Sequence, residues 1–420
     1  MPRQAEIVIG ANFGDEGKGL VTDFLSAQHS SDVLVIRHSG GAQAGHTVVA
    51  PDGRRCVFGH SGSGSLAGAK TLLSRFYVCN PIIFFKEKEL LDKQGVKPVV
   101  YVDPEAAITT PYDMMINQIA EETRGKERHG SVGHGFGETV ERNLRPEFSL
   151  KFHDIFSSSQ LKARLEGIQK IWVPQRLAML GLNPISDAWQ DRLYSEQILL
   201  HYLEVVSEFL REVRPANPGL ISDATHIIFE GAQGLLLDQE KGFFPHVTRS
   251  HTGIRNALQL ASEYGVDDIE VTYVTRAYTT RHGAGPLPHE LEQKPYPKIQ
   301  DLTNIPHDYQ GVLRFAWLDL DLLNASIQAD IASVPSTLHL SYGIAVTCLD
   351  QIENPHSYVV EGKTKKASIE NFLIDVCDVC RPSFLITSKS PSRHGIARQA
   401  ILRGKKHRSL AHFTCAPVGR

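Results

Sequence analysis

The sequence predicts an α/β fold with a large, mainly parallel β-sheet flanked by helices. The first observation is an apolar strand over residues 6–13, followed by a glycine-rich turn at 14–19 and a helix that begins near Leu20. Strand, glycine turn and helix in this order form the phosphate-binding unit of open α/β sheets. The second observation is a series of apolar segments that end in polar loops, as parallel strands joined by helices do. These segments are residues 32–37, 97–102, 226–229, 268–274 and 344–347.

A long helix is predicted over residues 191–213, because apolar residues recur there at steps of three and four. Such a stripe is typical of a helix that packs against a core. We expect the 420 residues to form a single domain over residues 1–420, with helical insertions at about 105–220. The stripe consists of Leu199, Tyr202, Val206, Phe209 and Val213.

Composition and charge argue against several classes of protein. The apolar fraction of 41% and charged fraction of 22% are those of a globular protein, and a net charge of −3 gives no basic field for nucleic acid. The N-terminus lacks the features of a signal peptide, and no apolar run is long enough to span a bilayer. The six cysteines then fit a reducing compartment. We expect a cytoplasmic protein that binds neither nucleic acid nor membrane.

The turn at residues 14–19, Gly-Asp-Glu-Gly-Lys-Gly, has the properties of a phosphate-binding loop without the spacing of a Walker A motif. Its glycines let backbone N–H groups approach phosphate oxygens, and the following helix directs its positive end toward them. Lys18 adds a positive charge. A carboxylate beside phosphates repels them, so the presence of Asp15 is best explained if it holds a magnesium ion or accepts a proton. The alternative is an ordinary polar surface turn.

Three further motifs carry side chains that suit a nucleotide site. His46 lies in Gly-Gly-Ala-Gln-Ala-Gly-His-Thr, where small neighbours let an imidazole approach a phosphoryl group. Gln233 lies in Phe-Glu-Gly-Ala-Gln-Gly after the 226–229 strand, where an amide can read a purine edge. Residues 276–288 combine hydroxyls, arginine and glycines, which suit an anion or a carboxylate. A lone histidine is usually structural, so the argument depends on the motifs together.

In this order, the four motifs resemble those of the adenylosuccinate synthetase family, and the Trp-Leu-Asp at residues 317–319 is a further hallmark. The similarity extends from about Ile7 to Arg393, nearly the whole chain. The resemblance implies that family's fold, which is related to the P-loop NTPases, and a homodimer. It also implies a ligase in which GTP phosphorylates the 6-oxygen of inosine monophosphate (IMP) and the amine of aspartate then displaces the phosphate.

The resemblance assigns roles by motif position. Asp15 is the base that removes the N1 proton, and with the backbone oxygen of Gly45 it holds the cofactor Mg²⁺. His46 is the general acid at the transferring phosphoryl group, and Lys18 and Gln233 complete the catalytic set. Further contacts bind the two nucleotides, including an arginine that a dimer partner contributes, here matched to Arg142. The nucleotide-binding set is Gly14, Glu16, Gly17, Lys18, Gly19, Gln43, Gly45, Thr47, Ser131, Arg142, Gln233, Thr248 and Asp350.

Three segments depart from the family pattern. The aspartate loop, Thr-Thr-Gly-Arg-x-Arg-Arg, is replaced by residues 308–316, where Arg314 is the remaining cation for the amino-acid substrate. The guanine-reading Thr-Lys-Leu-Asp becomes Thr-Cys-Leu-Asp, which keeps Asp350 but loses the lysine that covers the base. At the nucleotide phosphate, residues 130–137 carry Val132 where the family has a hydroxyl.

The departures leave alternatives open. The donor is GTP or ATP, the acceptor is IMP or a guanine nucleotide (GMP or dGMP) that gives a 2-amino succinoadenylate, and the amine is aspartate or another amino acid. Asp15 favours IMP, because a carboxylate near C2 leaves little room for an exocyclic amine. A catalytically inactive nucleotide sensor is a further alternative, but it has no need of both Asp15 and His46.

Overall fold

A ten-stranded sheet forms the centre of the fold. The computed structural model describes residues 3–29, 32–125, 130–300, 313–332, 334–335 and 338–401. Within these ranges, neighbouring strands of the sheet are parallel except for one antiparallel pair at an edge, which confirms the mainly parallel sheet. Across the sheet the order is β19 (Ile396–Ala400), β18 (Phe384–Ser388), β15 (His339–Thr347), β11 (Val266–Arg276), β1 (Arg3–Gly10), β10 (His226–Gly234), β2 (Val33–Arg37), β5 (Lys70–Leu73), β7 (Val100–Val102) and β9 (Arg214–Pro215).

Nine shorter strands form small sheets beside the central one. They are β3 (His46–Val49) with β4 (Arg55–Phe58), β6 (Val78–Cys79) with β8 (Ala107–Ile108), β12 (Tyr278–Arg281) with β14 (Arg314–Trp317) and β13 (Glu290–Leu291), and β16 (His356–Val360) with β17 (Lys363–Ala367).

Twelve α-helices occur in the part of the chain that the structure describes. None of them is both long and apolar enough to cross a membrane. They are α1 (Lys18–Ala27), α2 (Pro81–Lys93), α3 (Pro111–Arg124), α4 (Phe136–Asn143), α5 (Ser158–Gly167), α6 (Val173–Met179), α7 (Asp187–Leu193), α8 (Glu196–Glu212), α9 (Pro218–Asp223), α10 (Arg255–Glu263), α11 (Leu320–Ile331) and α12 (Ile369–Cys380).

Apolar side chains cover both faces of the central sheet. On one face, α1 packs against Val8 of β1 and Val35 of β2, and a larger cluster with α10, α11 and α12 covers the other face. The helices between β8 and β9 bury a separate apolar cluster around Trp172 and the predicted stripe of α8. Because both faces are covered, the carboxyl ends of the strands are left to form a site.

Two predicted element boundaries were wrong. The predicted helix over residues 191–213 is two helices, because the Ser195 hydroxyl caps a new helix by accepting from the N–H of Ile198. The first strand ends at Gly10 rather than at residue 13, because Glu16 takes the N–H groups of Asn12 and Gly14. The strand therefore turns earlier than its apolar residues indicate.

Candidate active site

The candidate site lies at the carboxyl edge of the sheet, where the turns that follow β15, β11, β1, β10 and β2 meet. These strands are consecutive in the sheet, and ligands of open α/β folds bind at this edge. Three non-glycine residues at or just after the ends of these strands have positive φ, namely Asp15 (61°), Gln233 (60°) and Cys348 (60°). Such conformations cost about 1–3 kcal/mol each and concentrate at functional sites.

Close backbone approaches join the turns. Gly40 has a φ of 72°, and a Cβ there would lie 2.5 Å from the Cβ of Ala232 in β10. The turn after β2 can therefore approach β10 this closely only because residue 40 has no side chain. The Gly40 N–H also donates to Ser250 Oγ at 3.2 Å. The loop before α4 lies close against the segment after β12, since a Cβ at Gly130 would lie 2.8 Å from the Cα of Gly283.

The turn after β1 is organised by Glu16. Its buried carboxylate accepts from the N–H of Asn12 (3.0 Å) and of Gly14 (2.7 Å), and it pairs with Lys18 Nζ at 3.2 Å. In this arrangement the Glu16 carboxylate occupies the Gly14 N–H, and the binding of nucleotide by Gly14 and Glu16 stays a prediction. The helix α1 starts after Gly17, whose φ is 97°, and among the described residues no side chain caps it. Its first N–H groups are therefore available to an anion.

Asp15 is held by two basic side chains. His282 Nε2 lies 3.3 Å from the Asp15 carboxylate, and Arg276 Nε donates to the Asp15 backbone oxygen at 2.5 Å. Burial raises the pKa of Asp15, but His282, Arg276 and Lys18 outweigh it, so the pKa lies below its usual value. The Asp15 side chain remains about one third exposed. It is thus an ionised carboxylate that a ligand can reach.

His46 is held by Glu230, a buried glutamate in the middle of β10. His46 Nδ1 lies 2.7 Å from Glu230, whose carboxylate also accepts from the N–H (3.0 Å) and the hydroxyl of Ser63. Burial raises the pKa of Glu230, but His46 and Arg37 lower it to about 2. Burial lowers the pKa of His46 to about 4, although Glu230 opposes this change. His46 is therefore neutral at neutral pH.

Lys18 acts electrostatically on both Asp15 and His46. Its positive charge lowers the pKa of both Asp15 and His46, so the ammonium lies within electrostatic range of the two side chains. An added Cβ at Gly19, the next residue, would lie 3.0 Å from His46 Cβ. The predicted base and acid thus belong to one group of turns.

Unpaired polar atoms converge on the same turns. Both amide atoms of Gln43, Oε1 of Gln233 and Nε2 of His46 are shielded from water and have no hydrogen-bond partner among the described residues. A buried polar group without a partner costs about 1–3 kcal/mol. These atoms therefore indicate a ligand that supplies hydrogen bonds.

Ser131 and Thr248 lie on two loops beside α4. Ser131 Oγ donates to Asn117 at 2.9 Å, and the N–H of Thr248 donates to the Leu237 carbonyl at 2.8 Å. These bonds fix both loops, and Thr248 is half-buried. The loop at 248 is tied to α4 by an ion pair of Arg249 with Glu141 at 2.7 Å.

Arg142 lies in the interior, so the prediction that it reaches a partner's nucleotide is wrong for this arrangement. Its guanidinium pairs with Asp113 through two nitrogens, each at 2.9 Å, and donates to the carbonyls of Ile108 and Phe148. The side chains of Arg142 and Asp113 are fully buried. The arginine holds α4 to α3 and is not available to a ligand.

The remaining predicted residues lie at the rim. Arg314 pairs with Glu290 (Nε to Oε1 2.7 Å) and donates to the carbonyls of Gly283 and Gly285, so its charge is already neutralised. Residues 308–312 of the altered amino-acid loop lie outside the described residues. Asp350 is exposed after β15, Thr47 follows His46 in β3, and Gly45 is exposed.

His282 and Glu230 are site residues that sequence reasoning did not assign. Both lie within motifs that were recognised, and Glu230 directly precedes the glycine that follows the predicted strand. Their position next to a motif glycine is the sequence signal that could have identified them as site residues. Their partners, Asp15 and His46, are too distant in sequence for the pairing to be inferred.

Together, the fold and these turns define an α/β enzyme that binds a nucleotide at the carboxyl edge of a parallel sheet. The adenylosuccinate synthetase family model matches residues 7–383. The chain therefore belongs to the adenylosuccinate synthetase family, whose members are ligases that form a carbon–nitrogen bond, and magnesium is typical of the family.

Individual relatives agree with this assignment. The chain is 31% identical to the adenylosuccinate synthetase of Picrophilus torridus, covering 85% of this chain and 81% of that one. It is 28% identical to that of Acinetobacter baylyi, covering 83% of this chain and 78% of that one.

Two solved structures share the fold. A fully ligated adenylosuccinate synthetase from Plasmodium falciparum superposes with a TM-score of 0.70 at 18% identity, covering 93% of this chain and 99% of that chain. The succinoaminodeoxyadenylate synthetase of cyanophage S-2L, bound to dGMP and to dATP as an energy donor, gives 0.60 at 16% identity, covering 94% and 95%.

Proposed function

We propose that the protein uses GTP to phosphorylate the 6-oxygen of IMP and then adds aspartate, forming adenylosuccinate, GDP and phosphate. The observation that carries the proposal is the pair of supported side chains, Asp15 with His282 and His46 with Glu230, on turns that Lys18 links. A binding protein has no need of an ionised carboxylate and an unpaired imidazole nitrogen at one nucleotide site.

In the first step the Asp15 carboxylate takes the N1 proton, so that electrons move to O6. The O6–phosphorus bond forms, the bond to the bridging oxygen of the triphosphate breaks, and GDP leaves. The lowered pKa of Asp15 keeps it ionised for this role. His46, with Nδ1 held by Glu230, presents Nε2 to the transferring group. The negative phosphoryl oxygens favour the protonated imidazole and therefore offset the low pKa that burial gives His46.

In the second step the amine of aspartate attacks C6. The carbon–nitrogen bond forms, the C6–O bond breaks, and phosphate leaves with the former O6 and takes up the proton that the amine loses. Gln43 and Gln233 supply unpaired amide atoms that suit the purine, and Thr248 and Ser131 suit the monophosphate. Arg314 would have to leave Glu290 to bind the amino acid. Asp350 would accept hydrogen bonds from the guanine of GTP.

The site fits Mg²⁺. The Asp15 carboxylate is ionised and partly exposed, and Gly45 is exposed with a backbone oxygen to offer. Magnesium is bound in such sites by one or two carboxylates together with substrate phosphates. When bound, it neutralises charge on the phosphates. We also propose that the chain forms one domain with a helical insertion, acts in the cytoplasm and assembles as a homodimer, in which Arg142 is not the arginine that crosses the interface.

The test is a reaction of the protein with Mg²⁺, GTP, IMP and aspartate, followed by ultraviolet absorbance and phosphate release. We expect stoichiometric phosphate and adenylosuccinate, and we expect Asp15→Asn to abolish both while nucleotide binding persists. Absence of product with GTP and with ATP, across a panel of 6-oxopurine nucleotides, would overturn the proposal.

A second candidate is the same chemistry on GMP or dGMP with ATP as donor. It is favoured by Val132 at the nucleotide phosphate and by the ligands of the cyanophage enzyme that shares the fold. Ratios of kcat/KM for IMP, GMP and dGMP separate the two candidates. A preference for IMP ends the second one, and a preference for a guanine nucleotide ends the first.

A further inference from the structure

A cluster of metal-binding side chains lies beside the amino-terminal half of β1, away from the candidate active site at the carboxyl end of that strand. Glu6 of β1, His226 at the start of β10 and His29, just after α1, place one ligand atom each within 4.8 Å of one another. Glu6 precedes the end of β1 by four residues, or about 13 Å of strand, so the cluster is separate from the nucleotide turns. It plays no part in the reaction proposed above.

Both histidines direct Nε2 toward the same carboxylate oxygen. His226 Nε2 lies 2.7 Å from Glu6 Oε2, and His29 Nε2 lies 4.0 Å from it. Around a tetrahedral zinc ion, with ligand distances of about 2.1 Å, neighbouring ligand atoms are about 3.4 Å apart. The two observed distances lie on either side of that value, so small side-chain movements suffice to bring the atoms to it.

The imidazole rings stack at 3.4 Å between centroids with a 24° tilt. A shared ion requires the His29 ring to tilt further, since in-plane lone pairs of nearly parallel rings do not converge. His29 has room for this movement, because its side chain is 34% exposed, whereas Glu6 (8%) and His226 (13%) are held by their surroundings. That exposed side also leaves a coordination position open to water.

The local charge favours a cation. Glu6 faces Glu270 across the β1–β11 pair, and the one arginine that the structure places against them is Arg398, 3.6 Å from Glu6 Oε1 and paired with Glu270. With neutral imidazoles the group has a net charge of −1. Arg398 contacts the oxygen of Glu6 that does not face the histidines, so it does not block the site.

We propose that Glu6, His29 and His226 form a site for a divalent metal of the zinc type, with two imidazole ligands, one carboxylate and an open position. Two nitrogens and one carboxylate oxygen suit Zn²⁺ or Co²⁺ better than Mg²⁺, which prefers oxygen ligands. The ion would join the end of α1 to the amino ends of β1 and β10.

The test is titration of the full-length, chelator-treated protein with Co²⁺ in the absence of nucleotide, followed by visible absorption and then by displacement with Zn²⁺. We expect one equivalent to give the intense band of a four-coordinate ion, and Zn²⁺ to raise the thermal unfolding midpoint. His29→Ala should weaken binding by more than the roughly 10–100-fold that loss of a supporting partner costs a metal site. His29 is the exposed ligand, so this variant is expected to fold, and circular dichroism checks that it does.

His339→Ala is the matched control, because His339 is an exposed histidine near the same ends of the strands and pairs with Asp268 rather than Glu6. It should bind Co²⁺ as the unchanged protein does. Asp15→Asn should also leave the band unchanged, which distinguishes this site from the nucleotide site. Absence of the band, or an equal band in His29→Ala and His226→Ala, would overturn the proposal.

Discussion

Replacement of Glu230 by glutamine tests whether the His46–Glu230 pair supports phosphoryl transfer. The amide keeps the shape and can still accept from Ser63, but it removes the negative charge that favours a protonated His46. General acid catalysis contributes about 10²–10⁴-fold to rate, or about 2.7–5.4 kcal/mol of barrier. We therefore expect kcat of Glu230→Gln to fall by at least about a hundredfold, with a much smaller change in KM.

The chain contains a matched control for this variant. Glu87 is also a buried glutamate, with an oxygen 3.3 Å from His60 Nδ1 and with the N–H groups of Gly59, His60 and Ser61 as donors. Glu87→Gln weakens similar hydrogen bonds, at a cost of about 1–3 kcal/mol of stability. Since this pair lies outside the nucleotide turns, we expect kcat to stay within about threefold of the unchanged protein.

The assay is steady-state phosphate release with chemical unfolding of each variant alongside. A loss of kcat in Glu230→Gln without a similar loss in Glu87→Gln supports the argument. Equal losses in the two variants, or a Glu230→Gln enzyme within about threefold of normal, would refute it.

Three further predictions concern binding, protonation and stability. Asp15→Asn should lower kcat at least about a hundredfold while calorimetry gives a triphosphate Kd within a few-fold of normal; equal losses of both would contradict its role as a base. The pKa of His46 in the protein without ligand is about 4, so triphosphate binding at pH 7 should take up a proton. Binding heats should then depend on the buffer, and this dependence should be lost in His46→Asn. Equal heats in all buffers would contradict this prediction. Arg142→Leu should lower the free energy of unfolding by about 3–5 kcal/mol, because it leaves the Asp113 charge buried and unpaired, and a loss below about 1 kcal/mol in chemical denaturation would argue against the structural role.

Local pattern was enough to predict the centre of the fold. The segments that became β1, β2 and β10 contain continuous apolar runs, whereas apolar and polar residues alternate in β11. The glycine turn identified the strand–turn–helix unit at Lys18. The turns at 14–19, 40–47 and 230–234 were predicted to share one site, and their contacts through Gly40 and Gln233 agree with that prediction. The sequence predicts that these turns share a site because each turn follows a strand, and the carboxyl ends of parallel strands lie at the same edge of the sheet.

The features that sequence did not give depend on burial and on contacts between distant residues. Arg142 matched a family position by sequence, but only coordinates show that Asp113 binds it in the interior. The Glu16 side chain folds back onto the Gly14 N–H, a contact that the motif did not predict. The contact of His282 with Asp15 joins the segment after β12 to the turn after β1, and no local pattern predicts such a pair.

The central claim is that O6 of the purine is phosphorylated before the amine displaces it. IMP labelled with oxygen-18 at the 6-position, or GMP if the protein prefers it, tests this claim most directly when mass spectrometry follows the released phosphate. Each released phosphate should carry one labelled oxygen from the purine, because the C6–O bond breaks in the second step. Product formed together with unlabelled phosphate would contradict it.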